Sequence, residues 1–164
     1  MLSENLLKRL NTQVTLEFFS SNLYLQMSAW CEYKGLSGCA KFLKAHATEE
    51  MEHMQKLFEY IQDTGALAIV EAIEKPEIEF ENIKDIFTQT YAHERMITAQ
   101  INELVDIALS EKDYSTFNFL QWYVAEQHEE EKLFKGILDK IEMIGLEGRG
   151  LFMIDREIGN TIVT

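Results

Sequence analysis

Apolar residues recur at steps of three and four along four long stretches of the chain, which is the spacing of a single buried helical face. The first stripe reads Leu6, Leu10, Val14, Glu17, Ser21, Tyr24, Ser28, Cys31; it opens after Ser3, a candidate N-cap, and ends at Lys34-Gly35. The second, bounded by Ser37-Gly38 and Thr64-Gly65, reads Leu43, His46, Glu50, His53, Leu57, Tyr60, Thr64. The third runs through Ile83, Phe87, Thr90, Glu94, Ile97, Ile101, Leu104 and Ala108. The fourth begins near the turn-and-cap residues Asp113 to Ser115 and runs through Leu120, Tyr123, Gln127, Glu130, Phe134, Ile137, Ile141 and Ile144. Glycines 145, 148 and 150 interrupt it before a short apolar-rich segment from Leu151 to Ile158. The pattern predicts helices over about 3–33, 38–64, 83–111, 114–144 and 150–159, within a single domain spanning 1–164.

Periodicity lapses between Ala66 and Glu81, where Pro76 stands among alternating acidic and apolar residues, so this stretch is predicted to be an extended connection. Short turns join helices one and two, and helices three and four, so each pair is expected to be antiparallel. The 16 residues of the connection reach at most roughly 55 Å. A helix of about 28 residues is only roughly 42 Å long. The connection can therefore traverse a bundle and leave helices two and three parallel, although a surface loop of this length satisfies the spacing equally well. The expected fold class is all-α, a four-helix bundle with a short C-terminal fifth helix.

Each stripe is broken near its middle by polar residues: Glu17; Glu50 with His53; Glu94; Gln127 with Glu130. Burying an unpaired carboxylate costs several kcal/mol, against a domain stability of only about 5–15 kcal/mol. No lysine or arginine lies on the stripes beside these acids, so a bound cation is the economical compensation. Glu50 and His53 form a Glu-x-x-His pair that sets carboxylate and imidazole one helical turn apart on one face. Glu50 can then bridge to a second ion. His46 is expected to be a hydrogen-bonded core histidine, Trp122 a packing residue, and His93 and His128 to face outward or a neighbouring element.

Composition narrows the function. A formal charge of −13 argues against a nucleic-acid partner, because phosphates would be repelled. No apolar run approaches the roughly 18 residues needed to span a membrane. The N-terminal residues lack the layout of a signal peptide. Two cysteines, Cys31 and Cys39, are too few for a disulfide framework and read as small buried hydrophobes in a reducing, cytoplasmic setting.

The stretches Leu16-Glu17-Phe18-Phe19-Ser20-Ser21 and His46-Ala47-Thr48-Glu49-Glu50-Met51-Glu52-His53-Met54 resemble the prokaryotic non-haem ferritins, bacterial type. So do Trp122-Tyr123-Val124-Ala125-Glu126-Gln127-His128-Glu129-Glu130 and Gly150-Leu151-Phe152-Met153-Ile154-Asp155, and the likeness covers essentially residues 1 to 160. The resemblance implies the long crossover between helices two and three. It implies iron storage and detoxification, with Fe(II) oxidised by oxygen or hydrogen peroxide and ferric mineral held inside a hollow homo-oligomer of 24 subunits. The implied first iron site is Glu17, Glu50 and His53. The second is Glu50, Glu94 and Glu130, with Gln127 close by, giving two Fe per subunit. A third, weaker iron would use Glu49, Glu126, Glu129 and Glu130, and Tyr24 would hydrogen-bond near the centre and supply an electron.

Helix four offers Gln127-x-x-Glu130 where symmetric di-iron bundles place a second Glu-x-x-His, so the second iron lacks a histidine and is expected to be held more loosely. Met51 aligns with the haem methionine of bacterioferritins, but plain ferritins carry it too, so no haem is expected. The competing function is a di-iron peroxidase or oxidoreductase without a storage role. The chain lacks the Cys-x-x-Cys module of a rubrerythrin and is much shorter than a ribonucleotide reductase subunit. The DNA-protecting miniature ferritins lack a fifth helix.

Overall fold

The computed structural model describes residues 2–161, so positions 1 and 162–164 of the expected domain span lie outside the described residues. Five helices and no strand occur among the described residues: α1 (Glu4–Tyr33), α2 (Ser37–Asp63), α3 (Ile83–Ser110), α4 (Tyr114–Ile144) and α5 (Arg149–Gly159). Local chemistry fixes three starts. The Ser3 hydroxyl accepts from the Leu6 amide, Asn82 from Asp85, and Asp113 from Thr116, each satisfying an amide that the first helical turn leaves free. Gly35, Gly65 and Gly145, with φ of 77°, 80° and 78°, take the left-handed backbone that ends α1, α2 and α4.

α2 begins at Ser37 with no side-chain cap of its own. The missing acceptor comes from α5: the Asp155 carboxylate receives the Gly38 amide at 3.0 Å and the Cys39 amide at 2.8 Å. An anionic group at a helix N-terminus is favoured both by the free N–H groups and by the helix dipole.

Residues 66–82 carry no helix or strand and follow α1. Asn11, buried near the start of α1, donates to the Leu67 carbonyl and accepts from the Ile69 amide at 2.8 Å. Near the far end of the same helix, Phe80 packs edge-on against Trp30. The connection therefore traverses the bundle. Contacts between α1 and α3 agree on direction: Arg9 meets Glu103, Tyr24 meets Glu94, and Thr90 meets Met27. α3 thus runs antiparallel to α1 and parallel to α2.

The apolar interior falls into two clusters. One gathers Tyr24, Phe42, Phe87 and Phe134 with Ile154 and Ile158 of α5. The other gathers Leu6, Leu10, Leu57, Ile61, Ile101, Leu104 and Leu120. The layer between them holds the polar residues that interrupt the stripes. Among the described residues, no helix is long and apolar enough to cross a membrane.

Candidate metal centre

Four helices deliver acids to this middle layer because each stripe places a polar residue at the same height. Glu17, Glu50, His53, Glu94, Gln127 and Glu130 are all buried, none more than 4% exposed. Solvent therefore does not stabilise their charge. Ligand atoms of Glu17, Glu50 and His53 lie within 4.8 Å of one another, and so do those of Glu50, Glu130 and His46. Glu50 belongs to both groups, as a bridging residue would.

The partners of each acid are specific. Gln13, one turn before Glu17, donates to it at 2.7 Å. The Tyr24 hydroxyl donates to Glu94 Oε1, and Gln127 donates to Glu94 Oε2 at 3.0 Å. Both Glu94 oxygens are thus engaged, and Glu94 stands beside the two groups and not within them. His53 Nδ1 lies 3.4 Å from Glu50 Oε2, and its ring abuts the Trp122 indole edge-on at 5.2 Å. Trp122 in turn carries Lys56 over its face at 4.3 Å.

Glu49 and Glu126 converge with His53 in a third group, at the wall of an open cavity of about 550 Å³ on the α2–α4 face. Glu129 does not join them: its side chain is 65% exposed and meets Lys132 at 3.4 Å. His93 faces α1, with Nε2 2.7 Å from the Ser20 hydroxyl.

Burial sets the electrostatics. It pushes Glu50 well above the usual carboxylate range, with the charges of Glu94, Glu17 and Glu130 adding to the effect. Burial likewise raises Glu17 to about 7 against the opposing Gln13 hydrogen bond, Glu94 to about 7, and Glu130 to about 8. Burial depresses His53 to about 4 and lowers His46 as well, so both imidazoles are neutral near pH 7 with a lone pair to offer. The 2.7 Å contact between His46 Nε2 and Glu130 Oε2 is accordingly a hydrogen bond of a neutral ring.

Three buried side-chain atoms have no hydrogen-bond partner: His46 Nδ1, Glu49 Oε2 and Glu50 Oε1. All three sit in this layer. Unpaired acceptors are costly in an apolar interior, and a divalent cation is the partner that satisfies oxygen and imidazole donors together. The residues present fit iron.

Sequence reasoning missed two participants. Gln13 lies beside the first stripe and not on it, yet it is only 1% exposed, and its spacing of four from Glu17 was the available signal. His46 was placed correctly as a hydrogen-bonded core residue, but nothing in its spacing revealed that it touches Glu130.

A family model described as a ferritin-like domain matches residues 7–144. The chain is 61% identical over 160 residues to a probable bacterial non-heme ferritin-like protein of Haemophilus influenzae, covering 98% of this chain and 97% of the relative. It is 52% identical over 158 residues to a bacterial non-heme ferritin of Escherichia coli, covering 96% of each. Among solved structures, an open pore ferritin from Archaeoglobus fulgidus superposes with a TM-score of 0.95 at 36% identity, covering 99% of this chain and 100% of the other. A Chlorobium tepidum ferritin superposes with a TM-score of 0.87 at 50% identity, with 99% and 100% covered.

Proposed function

The chain belongs to the ferritin-like family, and from that membership we propose that it is an iron-storage subunit that oxidises Fe(II) at the buried carboxylate layer. The observation that carries this reading is Glu50, shared between two groups of ligand atoms and left with a buried, unpartnered oxygen. The first ion is assigned to Glu17, Glu50 and His53. The second is assigned to Glu50 and Glu130, with Glu94 joining when an ion draws one of its oxygens from Tyr24 or Gln127.

Fe(II) is the substrate, and each ion of the pair gives one electron to oxygen or hydrogen peroxide. Carboxylates favour this direction because the smaller, more highly charged Fe(III) gains more from anionic oxygen ligands. Glu50 holds the two ions adjacent, so electrons leave both at one position. His53 is kept neutral and oriented by its burial against Trp122. Tyr24 and Gln127 hold Glu94 in place before iron arrives, and Tyr24 is the proposed donor of a further electron. The single imidazole of the first ligand set makes the pair unequal, which suits iron in transit better than a permanent cofactor.

The product is proposed to pass into a hollow homo-oligomer of 24 subunits and hydrolyse there, in the cytoplasm, without haem. The storage role is supported by relatives named as non-heme ferritins over nearly the whole chain. Aerobic addition of two Fe(II) per chain to metal-free protein, followed by absorbance, tests the centre. Glu50→Ala and His53→Ala are expected to slow oxidation by more than about 100-fold while particle size in sedimentation stays unchanged. Unchanged rates in both variants would remove the assignment.

A further inference from the structure

His46 is fully buried, and its ring is locked. Phe42 stacks on it at 5.4 Å and 20°, and Phe134 abuts its edge at 4.9 Å. One ring nitrogen, Nε2, is engaged with Glu130. The other, Nδ1, faces Glu49 Oε2 at 3.6 Å, and neither of those two atoms has a hydrogen-bond partner.

That separation is longer than a hydrogen bond. It is the right length for two donors on one ion. Metal–ligand bonds of about 2.1 Å that span the gap enclose an angle of roughly 118°, close to the tetrahedral value. Glu126 reaches the same wall of the cavity from α4, since its ligand atoms group with those of Glu49.

We propose that His46 Nδ1 and Glu49 Oε2, completed by Glu126, form a third divalent-cation site in which an imidazole takes the place expected for Glu129. The proposal rests on the reading of the inner pair as an iron centre and names the ion class of its neighbour. A mixed nitrogen and oxygen site takes borderline transition ions such as Fe(II), Co(II) and Zn(II) in preference to Mg(II) or Ca(II), which favour oxygen alone. The ring also links the two positions. An ion on Nδ1 places the ring proton on Nε2, where it donates to Glu130 Oε2 and leaves the other Glu130 oxygen for the inner ion. Occupancy of the third site and the hold of the pair on its second ion are therefore coupled, and the coupling is reciprocal.

Zn(II), which does not change oxidation state, is the probe. Chelator-stripped full-length protein in its assembled form is titrated calorimetrically, and crystals soaked in Zn(II) give anomalous maps. The unmodified protein is expected to bind three Zn(II) per chain, with one anomalous peak about 2.1 Å from His46 Nδ1. His46→Phe, which keeps the ring packing, and Glu49→Gln are each expected to bind two. A large excess of Mg(II) leaves the third Zn(II) in place. Three Zn(II) in the Phe variant at affinities within about threefold of the parent, or a map with no ion at Nδ1, overturns the third site. Loss of all three ions in that variant overturns it too, because His46 would then serve the pair. Where the Phe variant does not fold, the map of the unmodified protein and Glu49→Gln decide between the same outcomes. Absence of Zn(II) from Glu17, Glu50 and His53 in the unmodified protein is a separate result, which removes the iron-centre reading itself.

Discussion

A carboxyl group as deeply buried as that of Glu50 keeps its proton until a cation stands beside it, so binding an ion here means releasing protons. Glu17 and Glu94 titrate near 7 and Glu130 near 8, whereas His53 has already lost its proton above about 4. Protons, and not a charged histidine, therefore compete with iron around neutrality. Zn(II) affinity is expected to fall as pH drops from 8 to 6. Calorimetry in two buffers of different ionisation enthalpy should find more protons released per ion at pH 6 than at pH 8.5. Equal release at both values would contradict the raised carboxylates. Much of this was legible in the sequence, since an acid on an apolar stripe has few explanations other than a cation. What was hidden is orientation: spacing places Glu94 on the stripe but does not reveal that Tyr24 and Gln127 claim both its oxygens.

At the scale of elements, the helices were readable because Ser3, Asn82 and Asp113 cap their own first turns and glycines end three of the helices. The start of α2 was less so, because its acceptor, Asp155, lies on α5, and no local pattern announces a cap from so far along the chain. The path of the connection was open for a similar reason, as it is decided by Asn11 and Trp30 of α1 and not by residues within 66–82. The Asp155 contact is tight: a Cβ on Gly38 would stand 1.9 Å from the Asp155 carbonyl oxygen, and one on Gly159 would stand 2.6 Å from Gly38 Cα. Gly38→Ala is expected to cost about 1–3 kcal/mol through overpacking and to lift α5 from the bundle. Asp155→Ala should cost about 1–2 kcal/mol by uncapping α2. In both variants hydrogen exchange should rise at residues 38 and 39 and along α5 while the middle of α4 stays protected. Unaltered exchange in α5 would mean that Asp155 does not hold it.

For the whole molecule, the buried acids set stability against function. Glu17, Glu94 and Glu130 hold protons in the folded chain up to about 7, 7 and 8, whereas their ordinary value is 4.5. Between those limits the folded state binds more protons than the unfolded state, so the free energy of unfolding falls as pH rises. The contribution is fully present below about 4.5 and is lost as pH passes through 7 to 8. His53 and His93, depressed to about 4 from 6.5, act in the opposite sense, but only below 6.5. The window from pH 6.5 to 8.5 therefore isolates the carboxylates. Metal-free protein should lose denaturation midpoint steadily across it, although typical proteins are near their most stable there. Saturating Zn(II) should remove that slope, because the ion takes the place of the protons, and at 100 times its dissociation constant it adds about 2.7 kcal/mol per independent site. Replacing Glu50 by Gln should flatten the slope of the metal-free protein, raise its stability at pH 8, and abolish the Zn(II) gain at the pair. A metal-free protein whose stability rises between pH 6.5 and 8.5 would show that the acids are paired in some other way, and that the fold does not depend on a cation to accept them.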